Sequence, residues 1–280
     1  MERRAFLATS LAASATAFAA VAGVAAAGSP FEAQAAEGGA VAVPAGGKQF
    51  YELRKYQLRR GPKQKLFDEY ASKAAIPAMN RAGIGPIGVF HVMVGPQSPT
   101  AYVLIPYDSA EQFVGATDRM RADEEYKKLG AEFIEAPATD PAYIRVESSF
   151  MVAFDGIPRL EVPAAVKAGK SRIYELRTYE SHSKRASKKK IEMFNKGEIA
   201  LFRRTGLAPV FFGETLIGSN LPNLTYMLVF DSMADRDKNW GVFVSDPEWK
   251  KMSSEPGFTD PEIVSNISNL FLRPAAYSQI

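Results

Sequence analysis

Two short stretches carry the same chemistry: Tyr51-Glu52-Leu53-Arg54-Lys55-Tyr56 and Tyr174-Glu175-Leu176-Arg177-Thr178-Tyr179. As strands with a period of two, they place Glu52, Arg54 and Tyr56 on one face, and Glu175, Arg177 and Tyr179 on the equivalent face. If Tyr51 and Leu53 pack beneath helices, these six polar groups turn inward, toward the space between two sheets. A buried, unpaired charge is expensive. The six therefore either satisfy one another within the sheets, giving pairing specificity, or form a pocket in which arginine holds a carboxylate or enolate and tyrosine donates to it.

A second pair of candidates lies on the next strands. His91 sits within the apolar run Val89-Phe90-His91-Val92-Met93, and Glu214 occupies the matching place in the second half. Two different titratable groups in equivalent positions can serve as an acid and a base with separated pKa values. The plainer alternative is a hydrogen-bonded strand histidine. His91 is also the sole candidate for haem ligation. The chain has two histidines, no His-x-His pair and no cysteine. That argues against a dedicated metal site and excludes disulfides, thiolate chemistry and cysteine-ligated centres. Lys184, Arg185, Lys188, Lys189 and Lys190 read as a solvated helix face, with attraction of an anionic partner as the alternative. Trp240, Trp249 and Phe243 read as core or rim aromatics. There is no phosphate loop, no dinucleotide fingerprint and no serine-hydrolase order. A net charge of +3 without a basic, aromatic-laced stripe gives no nucleic-acid signature.

The elements that position these residues come in two copies. The hexads lie 174 − 51 = 123 residues apart, and the same offset aligns Arg81-Ala82-Gly83 with Arg204-Thr205-Gly206. It also aligns Asp108-Ser109 with Asp231-Ser232, and Asp123 to Lys128 with Asp246 to Lys251, without a gap. Each copy reads as strand, helix, strand, strand, helix, strand. The helices are expected from Pro62 to about Arg81 and from Lys184 to Arg203, with serine caps at Ser109 and Ser232. This is the split βαβ pattern of a ferredoxin-like α+β fold. A four-stranded sheet with both helices on one face needs a cover for the other, and the second copy supplies it. The expected divisions are a lead-in at 36–48, a first domain at 49–154, a linker at 155–170 and a second domain at 171–280.

Residues 1–35 read as an export signal. Arg3-Arg4-Ala5-Phe6-Leu7 precedes a weakly apolar Ala/Val/Leu run and a small-x-small cleavage pattern at Ala33-Gln34-Ala35. The paired arginines are similar to bacterial twin-arginine signals, so a periplasmic or secreted location is expected. After removal of the signal no transmembrane segment is expected. An uncleaved anchor is the alternative.

The Tyr-Glu-Leu-Arg-x-Tyr strand, the Arg81-x-Gly83 and Arg204-x-Gly206 helix ends and Asp246-Pro247-Glu248-Trp249 resemble the NIPSNAP family, within the dimeric α+β barrel superfamily. The resemblance implies two tandem ferredoxin-like domains whose sheets pack as an intramolecular barrel. It implies a pocket in the barrel half, and an activity among cofactor-independent oxygenases or isomerases. The family itself has no agreed reaction. A small, anionic molecule held between the sheets is the first functional expectation. A protein-interaction module with a packed barrel is the second, and a haem-handling enzyme the third. No cofactor is required by the sequence. Further homo-oligomerisation is left open.

Overall fold

The computed structural model describes residues 47–95 and 97–280; the expected export signal lies outside them. In the first repeat β1 (Phe50–Gln57) leads into α1 (Pro62–Tyr70), a π-helical turn at Ala71–Ala75 and α2 (Ile76–Arg81), which together form one long helical rod. Next come β2 (Gly88–Val94), β3 (Thr100–Tyr107), α3 (Ala110–Arg121), α4 (Glu124–Ile134) and β4 (Arg145–Ala153). A short α5 (Ala164–Lys167) interrupts the connection to the second repeat. There β5 (Ile173–Glu180), α6 (Lys184–Met193), a π-helical turn at Phe194–Glu198 and α7 (Ile199–Arg204) repeat the opening. They are followed by β6 (Ala208–Ile217), β7 (Asn223–Phe230), α8 (Met233–Ser245), α9 (Pro247–Ser254), α10 (Asp260–Ile263) and β8 (Asn266–Pro274).

The local signals act as expected. Ser109 and Ser232 each accept a hydrogen bond from the backbone N–H three residues on, at 3.1 Å. Asp123 and Asp246 cap the helices that follow them. Gly83 and Gly206 have φ of 73° and 84°, the left-handed conformation that ends a helix most easily at glycine. Arg81 then reaches Asp123 at 2.7 Å, and Arg204 reaches Asp246 at 2.8 Å. The repeated Arg-x-Gly and Asp motifs therefore clamp the long rod to the start of α4 in the first copy and of α9 in the second. After α2 the chain turns through Gly85-Pro86 before β2 begins at Gly88.

All eight strands join in one closed antiparallel barrel, in the order β1-β3-β2-β8-β5-β7-β6-β4. Each repeat contributes four neighbouring strands. The seams are β2 with β8 and β4 with β6, so neither sheet keeps an open edge.

The barrel interior is apolar. Tyr51, Leu53, Phe90, Leu104, Met151, Tyr174, Leu176, Phe211, Met227 and Leu272 form one buried cluster drawn from both repeats. Ring pairs cross the interior, Tyr51 with Phe211 at 5.1 Å and Phe90 with Tyr174 at 4.8 Å. Two further clusters lie between each sheet and its own helices. No helix of the described residues is long and apolar enough to cross a membrane.

Candidate functional site

The interior packing reverses the orientation expected for the two hexads. Tyr51 and Leu53, with Tyr174 and Leu176, point into the barrel; Glu52, Arg54 and Tyr56, with Glu175, Arg177 and Tyr179, point under the helices. The physical reason is the supply of partners. A closed barrel of apolar side chains offers no donors to a carboxylate, whereas the helical layer brings its own. Among the described residues, the place between the two sheets is taken by this packed apolar cluster and not by the six polar groups.

The two helix-facing clusters have diverged. In the first repeat Glu52 accepts both N–H groups of Arg54, at 2.6 and 2.9 Å, together with Tyr107 Oη at 2.9 Å and Ser148 Oγ at 2.8 Å. The carboxylate is saturated by its neighbours. The cavity beside it measures about 20 Å³, closed by Phe67, Tyr70, Ala75 and Ile76. This is scarcely room for one water. Here the pairing alternative raised from the sequence holds.

In the second repeat Glu175 is fully buried but takes its donors from α8. Arg236 binds it through Nε and Nη2 at 3.0 and 2.9 Å, and Trp240 Nε1 donates at 2.9 Å. Burial pushes the Glu175 carboxyl up, but Arg236, Arg177 and Trp240 outweigh it and hold the group below the usual carboxylate range. Arg177 is thereby released from a bidentate grip. Its Nη1 donates to Glu175 at 2.8 Å and its Nη2 to Tyr179 Oη at 3.0 Å. Its buried Nε has no acceptor. Tyr226, whose hydroxyl burial pushes well above its ordinary pKa, donates to Tyr179 Oη at 3.1 Å.

Beside Arg177 opens a cleft of about 320 Å³, lined further by Tyr179, Lys190, Glu198, Arg236, Trp240 and Trp249. Lys190 and Glu198 are 1% and 2% exposed, and their Nζ and Oε2 atoms lie 3.1 Å apart. Burial pushes the Glu198 carboxyl up, even against the attraction of Lys190. The Lys190 ammonium lies 4.9 Å from the ring centre of Phe194, 5.4 Å from Trp249 and 5.5 Å from Tyr179. Glu198 stands on the π-helical turn, a local widening of the helix that recurs at functional sites. A larger groove of about 540 Å³ runs along the linker, between Glu161 and Ala165 and the start of β6, without a comparable buried cluster of charges.

At the 123-residue offset, Lys190, Glu198, Arg236 and Trp240 correspond to Phe67, Ala75, Phe113 and Thr117. The same fold therefore closes the space with apolar groups in one half and opens it with charged groups in the other. The copies agree at Glu175, Arg177 and Tyr179 and differ at the residues that make the cleft. Lys190, expected on a solvated helix face, is instead fully buried. Its neighbours Lys188 and Lys189 do remain outside, paired with Glu214 at 2.7 Å and Glu192 at 2.9 Å. Trp240 packs on Phe202 and Phe243, as expected of a core aromatic, and also walls the cleft.

The structure does not bring His91 and Glu214 together. Their strands, β2 and β6, stand four places apart in the eight-stranded ring, on opposite sides of the barrel. The His91 Nε2 atom is 3.0 Å from Asp68 Oδ1, which also accepts from Tyr277 Oη at 2.5 Å. The nitrogen that would bind haem iron is thus engaged by a carboxylate. Among the described residues no group of three or more acidic or histidine side chains is arranged to hold a metal ion.

Two tandem stretches, residues 51–153 and 174–279, match the NIPSNAP family model. The chain belongs to the NIPSNAP family. The two NIPSNAP stretches coincide with the two structural repeats and span most of the sequence. No curated protein sequence matches the chain. Among solved structures, a Lactobacillus acidophilus protein provisionally named a monooxygenase superimposes with a TM-score of 0.53 at 12% identity, covering 81% of this chain and 94% of its own. A Fusobacterium nucleatum protein with the same provisional name gives 0.51 at 9% identity, covering 81% and 93%. A NIPSNAP-like protein from Burkholderia xenovorans gives 0.35 at 19% identity, covering 39% of this chain and 90% of its own. At these identities the first two likenesses bear on the barrel fold alone.

Proposed function

We propose that this NIPSNAP protein binds one small molecule per chain, an aromatic compound carrying an anionic oxygen, in the cleft between the second-repeat sheet and its helices. The observation that carries the reading is the Arg177 guanidinium. It is buried at the cleft with a free Nε donor, in a cluster whose only other copy, around Arg54, is saturated and closed. A ligand carboxylate or enolate seated against Arg177 gains a charge-assisted pair with a guanidinium that lines the cleft. Trp240, Trp249 and Tyr179 supply flat apolar walls. The cleft lies at the small end of the roughly 300–1,000 Å³ typical of ligand pockets. The provisional name shared by the two barrels is compatible with chemistry on such a molecule, and it carries no weight beyond that.

Both tryptophans of the chain line this cleft. Their emission therefore reports on it selectively. Titration with phenylacetate is expected to change the emission saturably, with a 1:1 end point. Arg177→Met is expected to weaken binding roughly 10- to 100-fold, the loss of one charge-assisted hydrogen bond. The variant should remain folded, because Glu175 keeps its bonds to Arg236 and Trp240. An emission spectrum indifferent to aryl carboxylates sinks the reading.

The filled barrel interior also fits the interaction-module reading, which expected it. That reading gives no account of why the second repeat replaces a closed apolar packing with buried charges.

A further inference from the structure

We infer that the Lys190 and Glu198 pair transfers a proton to and from a carbon of the bound molecule, and that the molecule is an aryl-substituted 2-oxo acid. The inference rests on the binding reading above and adds a reaction to it.

The internal repeat supplies the control. The long helical rod of the first repeat needs no charge at these places, since Phe67 and Ala75 fill them. A buried ion pair is commonly matched or bettered in stability by apolar groups of similar volume. Stability therefore does not explain the pair. Both members line the cleft, and both are nearly inaccessible to bulk water. The pair also differs from the surface pairs of the same helix in having spare valence. Lys190 Nζ makes one strong hydrogen bond, to Glu198 at 3.1 Å. Its next neighbours are the sulfur of Met193 at 3.5 Å and Asp260 at 4.0 Å.

A proton passing along the Lys190 to Glu198 hydrogen bond leaves a neutral amine facing the cleft, next to a neutral carboxylic acid. Burial pushes the Glu198 carboxyl up, toward the acid form. The amine is a base. The cleft also contains a partner for the conjugate anion, the Arg177 guanidinium, close enough for its charge to act on Glu198. The substrate class follows from these three features. The aromatic walls take an aryl group, the Arg177 guanidinium takes a carboxylate and the carbonyl oxygen next to it, and a base beside that guanidinium requires an acidic C–H next to the carbonyl.

The step balances without a further reactant. The C–H bond next to the 2-oxo group breaks, and its proton goes to Lys190 Nζ. The electron pair moves into the carbonyl, whose oxygen becomes an enolate on Arg177. Return of a proton from Lys190 to the same carbon restores the 2-oxo acid. Between the two events the Lys190 and Glu198 protons exchange with solvent entering the cleft.

The test is deuterium incorporation at the methylene carbon of phenylpyruvate in heavy water, followed by proton NMR with the full chain, beside tryptophan-emission titrations with the same compound. The wild type is expected to bind it saturably and to exchange the methylene protons faster than buffer alone. The double variant Lys190→Met, Glu198→Gln is nearly isosteric and uncharged, so it avoids stranding one buried charge. It is expected to bind phenylpyruvate more weakly than the wild type, and at saturating phenylpyruvate, checked by the emission titration, its exchange is expected to fall at least about 100-fold, the low end of general acid–base contributions. Binding without exchange in the wild type overturns this inference and leaves the binding reading standing. Exchange that survives in a folded double variant overturns it as well. Absence of binding to both phenylpyruvate and phenylacetate overturns both readings.

Discussion

Lys190 Nζ lies 3.1 Å from Glu198 Oε2, both side chains buried, at the two places where the first repeat holds Phe67 and Ala75. One backbone thus supports two solutions to the same space, one of which keeps a charged, open cleft.

Removing half of the pair strands a buried charge. Lys190→Met is expected to cost about 3–5 kcal/mol. The double exchange Lys190→Phe, Glu198→Ala, which imports the first repeat's solution, is expected to be neutral or stabilising by up to about 4 kcal/mol. Urea unfolding of the three proteins checks both numbers. A double variant no more stable than Lys190→Met would show that the pair is structural after all.

Two of the buried glutamates, Glu175 and Glu198, make opposite contributions to pH dependence. Glu175 is held below its ordinary value of 4.5, so its stabilisation is complete above that pH and is lost as the pH falls through the lowered value. Glu198 is raised above 4.5, so the folded state binds more proton than the unfolded chain, and stability declines as the pH rises from 4.5 toward the raised value. Unfolding midpoints between about pH 3 and 8 are expected to show a shallower acid limb in Glu175→Gln, the remainder belonging to other lowered carboxylates such as Asp68 and Asp108. The decline above 4.5 is expected to flatten in Glu198→Gln. An acid limb unchanged in Glu175→Gln contradicts the assignment.

Equivalent tyrosines inside the barrel should respond unequally to loss of their hydroxyls. Tyr51 Oη is buried with no partner, whereas Tyr174 Oη accepts from Arg172 Nε at 2.7 Å. Tyr51→Phe is expected to raise stability by about 1–3 kcal/mol, the cost of an unsatisfied buried group. Tyr174→Phe is expected to lower it by about 1–2 kcal/mol. Thermal or urea melts of the two variants decide the matter, and destabilisation by Tyr51→Phe would show that its hydroxyl is satisfied.

The fold was legible because its signals are local and occur twice. The hexads, the Pro62 start, the Ser109 and Ser232 caps and the Gly83 and Gly206 helix ends each fix a short segment, and the 123-residue offset repeats them. The facing of the hexads was not legible. Tyr51, Leu53 and Lys55 alternate with Glu52, Arg54 and Tyr56, so neither side is purely apolar. The choice is made by residues 60 or more positions away, Arg236 and Trp240, which meet Glu175 only after folding. Lys190 was hidden differently. It stands in a run of lysines, and only the helix geometry shows that Lys188 and Lys189 look outward while Lys190 looks in. His91 and Glu214 match in sequence because the repeats match, and that same symmetry separates them across the barrel.

The ligand's place in the second-repeat cleft is open to one direct measurement. Tryptophan emission is titrated with phenylacetate in the wild type and in Lys190→Phe, Glu198→Ala, whose cleft is filled as in the first repeat. The account predicts a saturable 1:1 change in the wild type and none in the filled variant, with both proteins folded. An equal saturable change in both would place the ligand elsewhere and contradict it.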